Sequence, residues 1–514
     1  MFSSKFITVV SLHSFCILSF VSSSFDSAFD IPVFRSADSP LNSGRDCFCK
    51  LKGQIDDCSC SVDTVDHFNN AKVFPRLSSL LQKDYFRFYK VNLKKECPFW
   101  SDDSRCSMRT CHVKTCREDD IPPGLKGEHD HRNENMALKY LESSQDTDNC
   151  DEDNDLDAEL GYLNTTISDS AYKGFELWQA YDDALDNFCT LPDEDGEAQY
   201  VDLLLNPERF TGYKGESAHR IWRTIYMENC FRPKKSFNSY ISSSKLNGLC
   251  LEKRVFYRVI SGLHTSINIH LCANYLFSGK NPLARDADNE NWGYNLEEFK
   301  LRFSPEFTDK EGPQWLRNLY FIYLLELRAV AKAAPYLEQE RFYTGNESED
   351  SETKDAILDL LNVVKSFPEH FDESCMFADG TKQAQKLKEE FRQHFRNISR
   401  IMDCVGCEKC KLWGKLQTQG LGTALKILFS SKFDKLLTTS DQPFLSRSFR
   451  LERSEIVTLF NALGRLSTSI REIEMFRQMM SFVPWMYLGL VNSSRDHHIN
   501  LRNTEVAGTF FDKD

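Results

Sequence analysis

From about residue 170 onward the apolar positions of this chain recur at helical spacing. Phe175, Trp178, Tyr181 and Leu185 fall three to four residues apart and line one face of a helix. Residues 253–276 form a long amphipathic stretch, and residues 315–327 carry a dense apolar face that Pro335 is expected to stop. Ile456, Leu459, Phe460, Leu463, Leu466, Ile470 and Ile473 line one side of a further helix. Strand and helix patterns do not alternate, and no G-x-G-x-x-G follows a strand, which disfavours a Rossmann sheet. No repeat period is present. The pattern predicts a mostly α fold, with a single helical domain over residues 46–480 interrupted by long loops.

The ends of the chain read differently. Residues 1–23 place one lysine before an apolar run and end in Ser22 and Ser23, the layout of a secretory signal peptide. Residues 24–45 are rich in Ser and Asp and are expected to be disordered. Residues 481–514 form a tail of unassigned structure whose apolar patch suits packing on the body or on a partner. No later run approaches the roughly 20 apolar residues of a membrane span, so at most peripheral association with a membrane is expected. Asn164, Asn346, Asn397 and Asn492 each begin a glycosylation sequon, as befits a lumenal or extracellular product. The final residues are not a retention signal, so residence in the endoplasmic reticulum would need a partner. Cys150 sits inside an acidic loop-like run, where it is exposed and able to exchange. His129 and His131, nearby, read as polar loop residues with no further ligand at metal spacing.

Composition narrows the classes of function. The chain has 514 residues, 41% hydrophobic and 27% charged, ordinary for a globular protein. A net charge of -13 argues against nucleic acid as a partner. Eighteen cysteines are many for a chain large enough to fold on its core alone. Loss of Cys16 with the leader leaves an odd number, hence at least one free thiol.

Cysteine spacing carries the chemistry. In Cys404-Val-Gly-Cys407-Glu-Lys-Cys410 two C-x-x-C spacings overlap. Such a pair switches between dithiol and disulfide at little structural expense. Lys409, Lys411 and a helix starting near Cys407 would each lower a thiol pKa. A structural disulfide and a zinc site using this run are the alternatives, with no fourth ligand nearby to favour zinc. Upstream, beyond Cys97, Cys106, Cys111 and Cys116 are spaced from one another at C-x4-C intervals on a polar stretch. A mobile dithiol that meets an external partner and a crosslinked loop are both open there. Cys47, Cys49, Cys58 and Cys60 suit a crosslinked hairpin or a zinc knuckle, and the oxidising compartment favours disulfides.

A last set is polar and aromatic. Asn206-Pro-Glu-Arg209-Phe-Thr211-Gly-Tyr-Lys-Gly is a punctuated turn carrying an arginine suited to a phosphate. Trp222 follows on a helix and is able to stack on a flat ring. Ser261 and His264 share one face of a later helix. Taken singly, each residue also suits a purely structural role.

The chain resembles the endoplasmic reticulum oxidoreductin-1 family of flavin-dependent thiol oxidases. The matching stretches are Cys97-Pro-Phe-Trp, residues 200–209, Thr211-Gly-Tyr-Lys-Gly, Ile260-Ser-Gly-Leu-His264, residues 394–407 and residues 412–429. They run in family order across most of the chain, and the last two form a long, specific block.

The resemblance implies a helical body cradling FAD, bound by Arg209, Thr211, Trp222, Ser261, His264 and Arg302. Where some relatives carry a further arginine this chain has Gln314, with Arg317 nearby. It implies Cys407 and Cys410 as the inner redox pair, and Cys106 and Cys111 as the outer pair that accepts electrons from a protein disulfide isomerase. Cys116 and Cys150 would be regulatory, pairing with Cys111 and Cys106 in a switched-off form. Cys97–Cys404, Cys47–Cys60, Cys49–Cys58 and Cys230–Cys250 would be structural, leaving Cys189, Cys272 and Cys375 over. The product would be a monomer of the endoplasmic reticulum lumen that passes electrons to molecular oxygen and yields hydrogen peroxide, with no resident metal. The rival classes are a non-enzymatic disulfide-rich binding protein, which would be colourless, and a zinc protein.

Overall fold

The computed structural model describes residues 62–100, 111–126, 188, 197–213, 215–231, 246, 248–277, 292–367, 373–377, 381–430, 449 and 451–490. The leader, the 24–45 segment, the 47–60 cysteine cluster, Cys106, Cys150, the 175–185 helix, Cys189, Asn164 and Asn492 lie outside these residues. Short elements come first: α1 (Val62–Phe68), α2 (Phe74–Leu80), α3 (Asp84–Arg87), β1 (Phe88–Val91), α4 (Pro123–Lys126) and β2 (Gln199–Asp202). Longer helices follow: α5 (Glu216–Glu228), α6 (Leu251–Ala273), α7 (Leu296–Phe303), α8 (Gly312–Leu337), α9 (Glu347–Lys365), α10 (Lys382–Ile401), α11 (Glu408–Phe429) and α12 (Arg453–Leu490). A two-residue strand pair, β3 (Tyr275–Leu276) with β4 (Trp292–Gly293), sits between α6 and α7.

The fold is mostly helical, as the periodicity predicts. The core is the packing of α6, α8, α11 and α12. On α8 Leu319, Tyr320, Phe321, Ile322, Tyr323, Leu324 and Leu325 are all buried, so this helix is enclosed on every side. The stripe from Ile456 to Ile473 on α12 is buried throughout, with Phe460 meeting Phe86 edge-on at 5.4 Å. Two glycines mark close approaches between these core helices. A Cβ on Gly420 of α11 would lie 2.3 Å from the Thr458 carbonyl oxygen of α12, and one on Gly262 of α6 would lie 2.4 Å from that of Asn318 on α8.

Three boundaries differ from the sequence reading. Helix α8 runs through Pro335 to Leu337 instead of stopping there. So close to the helix end the proline removes a single interior hydrogen bond, and the buried face on either side outweighs it. The 253–276 stretch ends as helix at Ala273, and its last residues form β3. Helix α12 continues past Met480 to Leu490, into the region left as a tail.

The sheets are small. β1 and β2 pair antiparallel, Phe88 opposite Asp202 and Val91 opposite Gln199. Thr115 bridges to Val201 on β2. This brings the Cys111–Cys116 segment beside the residues that follow β2, the Asn206-Pro-Glu-Arg209 turn.

Candidate functional site

The centre of the site is the start of α11. Helix α10 closes in a tight turn, Met402–Cys404, and Val405 turns extended. Cys407 then caps α11, its sulfur 3.4 Å from the Cys410 N–H. Cys97 and Cys404 are joined by a disulfide, which withdraws Cys404 from any pairing with Cys407 and from the zinc reading of this run. Cys407 and Cys410 are both buried, their sulfurs 2.6 Å apart, within about 0.6 Å of an S–S bond.

The two thiols are not equivalent. The contact from the Cys410 thiol lowers the Cys407 pKa, with burial opposing and the backbone N–H groups of Cys410 and Lys409 assisting. The same contact raises Cys410, and burial raises it further. The thiolate therefore belongs to Cys407 and the proton to Cys410. The Lys411 ammonium donates to the carbonyls of Leu93 and Lys95 at 3.3 and 3.2 Å. The helix start assists, its N–H groups at Lys409 and Cys410 facing the Cys407 sulfur.

The upstream cysteine segment lies against this helix start. The Lys409 N–H donates to the Cys111 carbonyl at 2.9 Å. The Val113 N–H donates to Glu408 Oε2 at 2.8 Å, and Glu408 Oε1 is 3.4 Å from His112 Nδ1. Lys114 and Asn206 exchange two hydrogen bonds, at 2.7 and 2.8 Å. The Cys116 N–H reaches the Tyr200 carbonyl at 2.8 Å. Cys111 is disulfide-bonded to a cysteine outside the described residues. Cys116 carries a thiol that burial and the nearby Asp202 push up in pKa, so a Cys111–Cys116 bond is not the arrangement here.

On its other side the Cys407–Cys410 pair meets the turn after β2. Cys410 Sγ is 3.3 Å from the Arg209 carbonyl oxygen. The Tyr213 hydroxyl bonds to Glu208 Oε1 at 2.8 Å and to the Cys410 carbonyl at 3.3 Å. Arg465 of α12 holds Glu208 at 2.7 Å, with both side chains buried. Burial still raises the Glu208 pKa, and Arg465 pulls it back. Phe210 stacks on His270 of α6 at 4.4 Å and 14°, which ties the turn to the core.

The remaining candidates gather around α6. Trp222 of α5 stacks on His264 at 3.9 Å and 22°. The Tyr226 hydroxyl is 3.2 Å from His264 Nδ1. Burial, then the charge of Arg302, pushes His264 down to about 3, so its ring is neutral. Arg302 is gripped by Glu298 at 2.6 and 2.9 Å and by Asn268 at 2.5 Å. Ser261 accepts from Asn318 of α8 at 2.9 Å, and Asn318 in turn accepts from Arg258 and Gln314. Arg317 donates to Gln314 at 2.8 Å, so the glutamine that stands in for an arginine orients the arginine beside it. The backbone of Thr211 lies in the short helix Phe210–Tyr213. The buried Nε of Arg209 has no hydrogen-bond partner in the protein, nor has that of Arg254. A buried guanidinium N–H without a partner fits an anionic group such as a phosphate.

Other sequence candidates fall elsewhere. Cys230 is buried, Cys250 is exposed at the cap of α6, and no disulfide joins them in this structure. Asn346 caps α9 at the surface, while Asn397 is half-buried within α10. No group of three or more metal-ligating side chains occurs among the described residues. Nor is any described helix long and apolar enough to cross a membrane. The sequence reading missed Glu208, Tyr213, Glu408 and Arg465 as parts of the site. Arg465 stands between Leu463 and Leu466 in sequence but off the face they share, so it reads there as an ordinary surface charge.

Comparison with known proteins agrees with this arrangement. The Endoplasmic Reticulum Oxidoreductin 1 (ERO1) family matches residues 72–473. The Ero1-like protein of Drosophila melanogaster is 57% identical over 444 residues, covering 84% of this chain and 91% of that protein. ERO1-like protein alpha of Homo sapiens is 50% identical over 457 residues, covering 86% and 93%. A solved structure of a cysteine-to-alanine double mutant of S. cerevisiae Ero1p matches with a TM-score of 0.51 at 30% identity, over 83% of this chain and 99% of that one. The chain belongs to the Endoplasmic Reticulum Oxidoreductin 1 family and is an oxidoreductase that acts on thiols.

Proposed function

We propose that the protein is an FAD-dependent thiol oxidase of the endoplasmic reticulum lumen that makes disulfides for protein folding. Electrons would enter from a reduced protein disulfide isomerase at the Cys106–Cys111 pair, pass to Cys407–Cys410, and leave to molecular oxygen as hydrogen peroxide. One observation carries the reading. The start of α11 is bonded on one side to the Cys111 segment and on the other to the Arg209 turn, through Lys409 N–H and Cys410 Sγ.

FAD would be held by Arg209, Thr211, Trp222, Ser261, His264 and Arg302, with Arg317 beside Gln314 as a further candidate. The open Nε of Arg209 fits a phosphate, and the neutral, Trp-stacked His264 fits an uncharged ring surface. When bound, the flavin supplies a two-electron acceptor that oxygen reoxidises.

The cysteines supply the rest. A reduced isomerase thiolate attacks the Cys106–Cys111 disulfide, and the freed outer thiols reduce the Cys407–Cys410 bond. Reduction leaves the thiolate on Cys407 and the proton on Cys410, the member beside Arg209. Cys407 is thus placed to re-form the bond to Cys410 as electrons leave the pair. Cys116 and Cys150 would trap the outer pair under oxidising conditions. Cys47–Cys60, Cys49–Cys58 and Cys230–Cys250 would be static crosslinks, the last closing from the thiols seen here. The sequons, a monomeric state and at most peripheral membrane association complete the proposal.

The test is the visible spectrum of the purified protein, before and after anaerobic addition of a reduced C-x-x-C isomerase. A band at about 450 nm that bleaches supports the relay. A colourless protein would refute the flavin, and a yellow one that does not bleach would refute the shuttle cysteines.

A further inference from the structure

Glu408 lies between the two inner-pair cysteines in sequence, and its charge weakly opposes the Cys407 thiolate, yet its hydrogen bond and ion pair go to residues 112 and 113. One carboxylate oxygen takes the Val113 N–H at 2.8 Å and the other faces His112 Nδ1 at 3.4 Å. Both contacts fall one or two residues after Cys111. The adjacent Lys409 N–H holds the Cys111 carbonyl at 2.9 Å. Beyond residue 113 the segment is anchored to other elements, by Asn206 at Lys114, by Val201 at Thr115 and by Tyr200 at Cys116. Glu408 is the side chain through which α11 holds residues 112 and 113. A carboxylate accepting a backbone N–H makes a charge-assisted bond, stronger than a neutral one. Because that donor is backbone, the grip does not depend on which side chain follows His112.

We propose that Glu408 is a positioning residue that latches the outer-pair segment onto the inner pair during internal disulfide exchange. The proposal rests on the relay described above. With the outer pair reduced, the Cys111 thiolate attacks Cys407 Sγ and breaks the Cys407–Cys410 bond. A Cys111–Cys407 bond forms, and Cys410 leaves as a thiolate and takes up a proton. The Cys106 thiolate then attacks Cys111, restoring Cys106–Cys111 and releasing Cys407 as a thiolate. Two electrons and no other group have moved, and no further oxidant is needed. The first attack requires Cys111 within bonding reach of Cys407, and the latch raises the fraction of time that it is there.

The experiment follows both pairs at once. Full-length flavoprotein is mixed anaerobically with one equivalent of reduced isomerase, quenched in acid at intervals and alkylated. Mass spectrometry then scores the peptides bearing Cys106, Cys111, Cys407 and Cys410. In Glu408→Ala the interval between opening of the outer pair and opening of the inner pair lengthens about fivefold, as expected for losing a half-exposed charged hydrogen bond. Glu408→Gln keeps an oxygen for the Val113 N–H and recovers most of the rate, which loss of folding would not allow. An unchanged interval in Glu408→Ala would overturn the latch and leave the relay standing. An inner pair that stays closed in the unaltered protein would overturn the relay and the latch together.

Discussion

Replacing Arg465 with methionine should destabilise the protein in a way that grows with pH. Arg465 and Glu208 are 2.7 Å apart, with side chains only 4% and 7% exposed. Removing one partner of such a pair typically costs about 3–5 kcal/mol, because the other charge stays buried. Glu208 has an alternative, which is to take a proton. Its ordinary pKa is 4.5, and burial already raises it despite Arg465. Keeping a carboxyl of that pKa neutral at pH 7 costs about 3.4 kcal/mol relative to the unfolded chain, which ionises freely. The deficit is therefore capped near that figure at neutral pH, plus about 1 kcal/mol for the lost hydrogen bond.

The sign follows from the direction of the shift. A carboxyl raised in the folded state binds a proton that the unfolded state releases, so stability falls as pH rises above the unfolded pKa. Between pH 5 and 7 the deficit of the variant should grow by about 1.4 kcal/mol per pH unit. The assay is urea denaturation of the oxidised protein at pH 5, 6 and 7. Adding Glu208→Gln to Arg465→Met removes the titrating group. It should abolish the slope and recover about 2 kcal/mol or more at pH 7. A deficit that stays constant over this range, or a double variant no better than the single one, would refute the account of Glu208 as a charge held in place by Arg465.

Three further outcomes follow from named contacts. His270 is pushed down to about 3 by burial and then by Arg465, while bonding to Ser469 at 3.0 Å. The unfolded chain alone protonates it below pH 6.5, so His270→Gln should lessen the acid sensitivity by about 1.4 kcal/mol per pH unit from 6 to 4; denaturation midpoints at matched pH measure this. Gly420→Ala drives a Cβ onto the Thr458 carbonyl at 2.3 Å, so α11 and α12 must part and the protein should lose about 1–3 kcal/mol of stability, read from its thermal midpoint. Cys410→Ala should abolish oxygen uptake while the purified protein stays yellow; full uptake would remove Cys410 from the inner pair.

What the sequence shows best is periodicity. The stripe from Ile456 to Ile473 announces α12, because a helix that buries one face must repeat its apolar residues at helical spacing. The C-x-x-C run is equally legible, since its chemistry depends on sequence-local spacing. The boundaries were less so. Pro335 reads as a stop because the rule concerns hydrogen bonds, but α8 is enclosed on all sides and its packing carries it two residues further. The contacts that assemble the site were illegible for a different reason. Asn206 with Lys114, Glu208 with Arg465 and Val113 with Glu408 join residues 92, 257 and 295 positions apart. No local pattern encodes such a pairing.

On the proposed relay, the same contacts explain why the inner pair needs a large helical body. A C-x-x-C closes at any helix start, but a relay also needs the two ends of the pair to face different neighbours. Here the Cys97–Cys404 disulfide fixes the turn that precedes Cys407 to a chain segment 307 residues away. Asn206 then serves both sides: its side chain binds Lys114 of the outer-pair segment, and its carbonyl accepts from Trp413 of α11 at 2.8 Å. Three residues on, Arg209 presents its carbonyl to Cys410. A single turn after β2 thereby sets the outer-pair segment and the inner pair relative to each other. Displacing it would disturb both contacts of the relay together, whereas loss of Glu408 would disturb only the first.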